Sequence, residues 1–585
     1  MTGLRRLIFV IAILACTSGL TLAESEIGKT IKPFELKDSQ QQSWQLEAST
    51  KVTVVAFLGV ECPLVKLYAQ RLQSIADKFE DSKIQVVGIN SNQQDSIAEM
   101  QHFARRFKLE YPLLKDAGNQ VADAFGATRT PEVFLLDGDL KVIYQGAIDD
   151  QYHYGVQKKE ASANYLRDAI AAQLAGKQID QPYTDPVGCI IGRKKDVDNS
   201  SKVTYSNQIS RIFQKNCVSC HRPGEIAPFE LTDYDEVAGW AGMIEEVVRE
   251  NRMPPWHADA PRGHFKNDIR LTQQEKDLIY KWAAAGAPQG DKSDLPEPQT
   301  FAEGWAIGKP DQVVKMRKRP FRVKANGTIG YQYFKVDPGF KKDMWVKAAE
   351  CRPGNRSVVH HIIVGIAGQG EFGGGGVHRR SQSEWVAATA PGAPPAIFPP
   401  SYAKRIPAGS KLVFQMHYTP NGTATTDLSE IGLVFADPAE VQNEVLTQMV
   451  VYERLRIKPG DSDYRVSATT RFDRDAELMA MFPHMHYRGK SFLYQLKQPG
   501  REFVEMLNVP NYDFNWQNSY DLAKTIQVRK GAKLKCTAVF DNSENNLANP
   551  DPSQTVRWGD QTHDEMMIGY YNVAVPLNQT GQPKP

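Results

Sequence analysis

Beyond its first 25 residues, no stretch of this 585-residue chain reaches 18 consecutive apolar residues, so no later segment is long enough to cross a membrane as a helix. Charge of one sign is also lacking. The 70 Lys and Arg nearly balance the 68 Asp and Glu, for a net charge of +2. With no basic block interleaved with aromatics, nucleic acid is excluded as an expected partner. Cysteine is scarce: seven residues, at 16, 62, 189, 217, 220, 351 and 536. Their spacing is not that of a disulfide scaffold, and it points to several separate chemistries. Histidine is also scarce, with 12 in the chain. Length is not scarce, and a chain this long exceeds one hydrophobic core, so three or four domains are expected.

The chain opens on "MTGLRRLIFVIAILACTSGLTLAES". Arg5 and Arg6, the apolar run Leu7 to Ala15 and the small residue Ala23 read as a secretory signal over residues 1–23. Cys16 in "ILAC" forms a loose lipoprotein box and is a candidate lipid anchor. An exported protein, periplasmic or attached to the cell envelope, is expected.

Residues 24–180 alternate strand and helix patterns. "VTVVAFL" (Val52–Leu58) is a buried strand, and Leu64, Leu67, Leu72, Ile75 and Phe79 follow at helical spacing. "KIQVVGI" is a second strand, Ser96–Phe107 a second helix, and "EVFLLD" with "KVIYQG" a hairpin. "FLGVECPL" puts Cys62 between strand and helix, where a helix N-terminus lowers thiol pKa. With Thr130-Pro131 in "TRTPEVF", this region resembles the α/β thioredoxin/redoxin family. That resemblance implies that Cys62 is a redox thiol beside a cis-Pro loop. Val65 stands where a thioredoxin carries its second Cys, so local dithiol exchange is excluded. A one-Cys redox or peroxidase-like site and a docking scaffold with Cys62 merely packed both remain open. Cys189, just beyond, is either a resolving partner or a buried free thiol.

Pro182, Pro186 and Gly188 mark a linker (181–202). "NCVSCH" then presents Cys217, Cys220 and His221 as C-x-x-C-H. From seven Cys and 12 His in 585 residues, this motif arises by chance with a frequency of about 0.002. It is the attachment signature of a c-type haem: two thioethers hold the ring and the His ligates iron. No second ligand pair supports a zinc site. Helical patterns flank the motif, one around Ile209, Ile212 and Phe213 and one in "LTQQEKDLIYKWAAAGAP", capped by Thr272 and Glu275. A small all-α cytochrome c over 203–289 is expected. Met253 in "NRMPPW" is favoured as the second axial ligand, ahead of Met243, His257 and His264. A second linker covers 290–319.

The remaining residues read as β-rich, enough for two sandwiches (320–452 and 453–578). "GQGEFGGGG" (Gly368–Gly376) lacks the Lys-Ser/Thr helix start of a phosphate loop and is expected to be a mobile loop. "VVHHIIV" (His360, His361), "FQMHYTP" (His417), "MFPHMHYRGK" (His484, His486) and "HDEMMIGYY" (Met566) are each weak signals, since about 0.25 H-x-H pairs are expected by chance in such a chain. On a strand, residues i and i+2 share a face, which suits His484 and His486 as a pair. Adjacent His360 and His361 point oppositely on a regular strand, so both reach one ion only through a local distortion or different ring nitrogens.

Taken together and in this order, these motifs resemble the type 2 copper monooxygenases, the peptidylglycine α-hydroxylating and dopamine β-monooxygenase family. The resemblance implies two jelly-roll-like β-sandwich subdomains and two coppers. His360, His361 and His417 would hold the electron-transfer ion, and His484, His486 and Met566 the O₂-binding ion. Met566 matches the family's "DEM" ligand site better than Met567. Gln415 and Gly489-Lys490 also match, and Gln415 is a candidate catalytic residue. A thioether favours copper over zinc. Phe482 stands where the peptide-amidating enzyme has its substrate-binding Arg, which argues against a peptidyl-glycine substrate. Met567 replaces a disulfide Cys, which leaves Cys351 and Cys536 as buried thiols unless they pair with each other. The expected function is a copper monooxygenase hydroxylating a C–H bond of a small organic substrate with O₂, its electrons relayed through the haem from an unidentified reductant or redox partner. The alternatives are an electron-transfer or copper-binding protein, or a thiol peroxidase, without oxygenase chemistry.

Overall fold

The structure is a computed structural model. It describes residues 25–79, 84–301, 304–367, 385–390 and 394–579, with the backbone of 382–383. The signal segment with Cys16 and the Gly368–Gly376 stretch lie outside the described residues. Among the described residues no helix is long and apolar enough to cross a membrane.

The N-terminal unit is an α/β sandwich. Its five-stranded sheet runs Leu113–Lys115, Ile84–Asn90, Val52–Phe57, Glu132–Leu136, Val142–Gly146. The first three strands are parallel and the last two antiparallel. Val52–Phe57 is buried at every position, as expected for a central strand covered on both faces. Helix Pro63–Lys78 buries Leu64, Val65, Tyr68, Leu72 and Ile75, one stripe at helical period. Helix Ile97–Phe107 starts at a Ser96/Glu99 capping box. The segment expected to be a linker does more than connect, because Cys189–Ile190 forms a short ladder with Arg129–Thr130.

Around the C-x-x-C-H motif the chain is helical: Ser210–Asn216, Tyr234–Gly239, Ala241–Arg249 and Gln273–Ala284. The last carries the Thr272/Glu275 capping box. Phe213, Trp240 and Trp282 lie in the same apolar cluster as Tyr68, Phe103 and Phe107, so these helices and the N-terminal unit share one core.

The region expected as one continuous domain over 203–289 is interrupted. Trp256, Ala258 and Phe265 are buried in the core of the C-terminal β unit, beside Tyr520 and Leu522. Phe265 bridges to Leu522, Lys266 N donates to Asp521 O (2.9 Å) and Ala523 N donates to His264 O (3.0 Å). The excursion therefore covers the backbone of Asp521, Leu522 and Ala523, at the start of Tyr520–Val528, the last strand in the order of the main β-sheet, which would otherwise present unpaired backbone groups there. The second expected linker also belongs to the fold, since Gln312–Lys315 pairs with Glu430–Phe435.

Two β-sandwiches follow, and they share one ten-stranded sheet. Its order is Gln312–Lys315, Glu430–Phe435, Met344–Arg352, Tyr402–Ile406, Asn443–Val451, Ile568–Pro576, Ala476–His484, Tyr520–Val528, with two short strands beside this path. The seam is a parallel pairing of Tyr402 and Ala403 with Asn443 and Glu444. Each half is closed by its own four-stranded sheet. One holds Gln332–Val336, Leu412–Tyr418, Val359–Ile366 and Trp385–Thr389. The other holds Tyr464–Arg471, Lys533–Phe540, Gly489–Lys497 and Phe503–Val509. Cys351 and Cys536 are free and buried in different cores.

Candidate metal and redox centres

His361 and His417 are direct cross-strand partners on Val359–Ile366 and Leu412–Tyr418. Between Val359 and His361 the register shifts. This irregularity removes the geometric objection to adjacent histidines, because a bulge lets two consecutive side chains reach one side. One ligand nitrogen each from His360, His361 and His417 falls within 4.8 Å of the others, and His360 Nδ1 lies 3.3 Å from His361 Nδ1. His417 Nδ1 is buried with no hydrogen-bond partner. Burial first, and then the neighbouring imidazoles, holds His361 and His417 well below the ordinary histidine range. Burial brings His360 to about 4. All three are neutral rings with free lone pairs, the form that binds metal. Gln415 donates to Tyr333 Oη at 3.0 Å and hydrogen bonds His361.

The second group sits where strand Ala476–His484 ends. His484 Nδ1 meets Gln517 Oε1 at 2.7 Å, and His486 Nδ1 meets the Asp564 carbonyl at 3.2 Å. Each ring donates through Nδ1 and keeps Nε2 for a ligand, and His486 Nε2 is buried and unpartnered. Burial lowers His484 to about 4 and, with the neighbouring His484 ring, holds His486 well below the ordinary histidine range. Glu565 holds the neighbouring chain in place: it is fully buried and accepts from the backbone N–H of His486 (2.9 Å), Arg488 (2.6 Å) and Met566 (3.2 Å). This one carboxyl ties the H-x-H segment to the methionine about 80 residues on. Burial pushes it up to about 7 against those hydrogen bonds.

Met566 and Met567 diverge. Met566 packs with Met449 and Tyr570 and lines a cavity of about 590 Å³ shared with His361, His484, Gln415 and Phe482. Met567 is sealed in the opposite core with Cys536 and Tyr571. Trp385, Phe398, Tyr331 and Tyr570 give the cavity an aromatic wall, and Lys266 and Asn267 of the excursion complete it.

One loop joins the two histidine groups. Phe514 stacks on His360 (centroids 6.0 Å, planes 6° apart) and meets His417 at 5.9 Å and His486 at 6.0 Å. Gln517 holds His484, Asn518 Nδ2 donates to Pro255 O (2.8 Å), and Asn515 Nδ2 donates to Gly155 O (2.9 Å) in the N-terminal unit. Sequence reasoning missed Phe514, Gln517 and Glu565. Phe514 and Gln517 carry no motif, and Glu565 lies within the quoted "DEM" with no role read for it; the roles of all three arise from long-range packing.

At the C-x-x-C-H motif, Cys217 and Cys220 are free thiols. His221 Nδ1 faces the Phe229 carbonyl at 3.0 Å, which leaves Nε2 as the ligand atom, and burial lowers its pKa. Donor set and ring orientation both fit a thioether-bound haem. One alternative axial ligand points elsewhere: His264 Nε2 contacts Met506 O (3.2 Å) in the β unit. Met253, half-buried, follows helix Ala241–Arg249, and Met243 is buried within it. Cys62 caps helix Pro63–Lys78, and its Sγ donates to Thr130 O at 3.0 Å.

Comparison with known proteins agrees with two of these regions. Residues 27–145 match the AhpC/TSA family. Residues 442–579 match the copper type II ascorbate-dependent monooxygenase C-terminal domain. The chain carries a redoxin domain and a copper monooxygenase C-terminal domain. Among curated relatives, the thiol-disulfide oxidoreductase ResA of Bacillus cereus is 25% identical over 27% of this chain and 92% of its own length. Peroxiredoxin Q of Sedum lineare is 29% identical over 22% of this chain and 72% of its own. A hypothetical protein of Sinorhizobium meliloti, of known structure, is 29% identical over 29% of this chain and 96% of its own, with a TM-score of 0.28. The monooxygenase C-terminal domain supports an oxidoreductase and implies copper, O₂ and a substrate. The haem region is matched by neither family.

Proposed function

We propose that this protein hydroxylates a C–H bond of a small, largely apolar or aromatic substrate, using two coppers and electrons supplied through a c-type haem. The observation that carries the reading is the convergence of two sets of buried neutral imidazoles on either side of Phe514, one of them opening with Met566 onto the aromatic cavity. His360, His361 and His417 would hold one copper, and His484, His486 and Met566 the other. Copper bound there supplies one-electron steps and O₂ activation. The chain's own part is to orient and to exclude. Gln517 and the Asp564 carbonyl fix the two imidazoles of the cavity site through Nδ1. Gln415 positions His361. The aromatic wall would hold an apolar substrate beside His484 and Met566. Phe482 lines that wall, and an apolar side chain there does not recognise a substrate carboxylate.

Cys217, Cys220 and His221 would bind the haem, with Met253 as second axial ligand, and haem supplies single electrons. An ion pair supports the link between these parts. Glu225, four residues after His221, meets Arg356, four residues before His360, at 3.1 Å. Tethering raises the effective concentration of donor near acceptor. An exported location follows from this chemistry and from the N-terminal segment.

Metal analysis with EPR on haem-matured protein tests the reading. Two coppers per chain, with O₂ consumption coupled to hydroxylation and lost in Met566→Ala, are expected. Zinc alone, or no metal, overturns it. In stopped-flow, a reduced haem that never reoxidises through added copper refutes the relay.

A further inference from the structure

The floor of the aromatic cavity is one face of the shared ten-stranded sheet, and its side chains fall in rows. Strands Asn443–Val451, Ile568–Pro576 and Ala476–His484 lie side by side there. The first row sets His484 opposite Ile568. The second aligns Phe482, Tyr570 and Met449, and the third Ala480, Asn572 and Thr447. Alternate residues of a strand share a face, so the three rows lie on one side. Tyr571 and Val573 point the other way, into the C-terminal core. The first row carries a candidate metal ligand and the second is apolar. The third is polar, and Asn572 pairs four residues back from His484, about 13 Å along the strand.

A directed chain of hydrogen bonds runs into that third row. Lys404, on the adjoining strand Tyr402–Ile406, donates from Nζ to the Trp385 carbonyl at 2.7 Å and to Thr447 Oγ1 at 2.6 Å. Thr447 Oγ1 donates in turn to Asn572 Oδ1 at 2.7 Å. The direction follows from the groups themselves. An ammonium only donates, Thr447 has one hydrogen to pass on, and the amide turns its oxygen to receive it. Lys404 and Thr447 are buried, whereas Asn572 is half-buried and lines the cavity. Asn572 Nδ2 has no partner among the described residues, and Ala480 beside it ends at a methyl. A chain that starts at a buried cation therefore ends in two amide hydrogens at the cavity floor. The charge at its head strengthens the bonds along it and holds the amide in one orientation. Joining the strands at the seam needs only the Lys404–Thr447 bond, so the last link serves the cavity.

We infer that Asn572 is a substrate-binding residue, that Thr447 and Lys404 position its amide, and that the substrate carries a carbonyl oxygen at the end remote from the reacting C–H bond. The inference rests on the reading of this cavity as the substrate site. The apolar body of the substrate lies along Phe482 and Tyr570, and its oxygen accepts the Asn572 hydrogens. A ketone, ester or amide meets this requirement. A hydrocarbon of the same shape fills the same space but leaves the amide hydrogens unpaired, and loses the bond. The rows also set an order: the end that binds Asn572 is held two rows away from His484, so the oxygen-bearing end is not the end that reacts.

The test compares benzylacetone with the hydrocarbon in which a methylidene group replaces its carbonyl oxygen. Each is titrated into the full-length, haem-matured protein under argon, with binding followed by ligand-observed NMR and no turnover. Benzylacetone is expected to bind about 2–10-fold more tightly, the worth of one neutral hydrogen bond. Asn572→Leu should erase that ratio and leave the hydrocarbon's affinity within about twofold, since the two side chains are close in size. Thr447→Val keeps the amide but removes its anchor, and should shrink the ratio. Equal wild-type affinities, no binding of benzylacetone, or a ratio unchanged in either variant overturns the proposal. The wild-type comparison stands without a variant, so a folding defect in one of them does not decide the matter. Binding with the expected ratio by a protein that hydroxylates nothing would refute the monooxygenase reading alone. Hydroxylation with equal affinities would refute the role of Asn572 alone.

Discussion

Gln517→Leu isolates the loop's part in the cavity site. Gln517 Oε1 meets His484 Nδ1 at 2.7 Å, and its own Nε2 donates to Phe514 O at 3.2 Å, so the side chain is itself held in place. Leucine is close in size and removes both bonds. The buried Nδ1–H of His484 is then left without an acceptor, a loss of about 1–3 kcal/mol. Removing a partner that orients a metal-binding imidazole typically weakens metal binding by about 10–100-fold, which at about 1.4 kcal/mol per tenfold is roughly 1.4–2.8 kcal/mol. The two routes agree, so the copper dissociation constant at this site should rise by 10–100-fold. The assay is a chelator competition in a His417→Ala background, where the other site is disabled, with EPR as the second readout. Gln517→Glu keeps an acceptor for Nδ1 and should fall within a few-fold of the parent. An unchanged constant in Gln517→Leu, or an equal loss in both variants, would refute the orienting role.

Phe265→Ala should cost about 3–5 kcal/mol in urea unfolding, because this ring is 2% exposed in the C-terminal core although its sequence neighbours belong to the helical region. Arg356→Ala should change stability by less than about 1 kcal/mol, since its pairing with Glu225 is partly exposed, and a scan showing a large loss would mean that the ion pair carries the docking. Gly188→Ala should lower thermal stability measurably, by about 1–3 kcal/mol, because the added Cβ meets a backbone carbonyl that cannot rotate away. Thiolate absorbance of Cys62, taken as wild type minus Cys62→Ser, should titrate near pH 7: the thiolate is lost as pH falls through that value. In Cys189→Ala the midpoint should rise, since the strongest hydrogen bond lowering it is gone.

What the sequence made legible was local chemistry. The C-x-x-C-H, the H-x-H and the strand–Cys–helix order are set by spacing within a dozen residues, and the structure brings each set together. The choice of Met566 over Met567 came from the likeness of "DEM" to the resembled family's ligand site, and the structure sets the two side chains in different apolar clusters. Boundaries were less legible. Residues 181–202 and 290–319 read as linkers from their Pro, Gly and charge content, yet Cys189–Ile190 and Gln312–Lys315 pair with strands far away in sequence. Trp256 and Phe265 looked like part of the helical domain because nothing nearby shows that the exposed edge at Tyr520–Val528 needs covering. The bulge at His360 was legible as a requirement, two adjacent histidines on one side, but not as a location. Phe514 and Gln517 had no signal at all, since an aromatic and an amide in a loop are ordinary until the fold sets histidines beside them.

The shared ten-stranded sheet limits how this protein can be taken apart. The copper domain match begins at residue 442, one residue before the seam strand Asn443–Val451. A chain cut there would leave the backbone of Asn443 and Glu444 without its Tyr402–Ala403 partner, and the first half would keep a strand, Tyr402–Ile406, with a bare side. Both fragments would carry a template for pairing with another copy. The boundary that homology draws falls on a hydrogen-bonded joint, so the two halves are expected to be soluble together and adhesive apart.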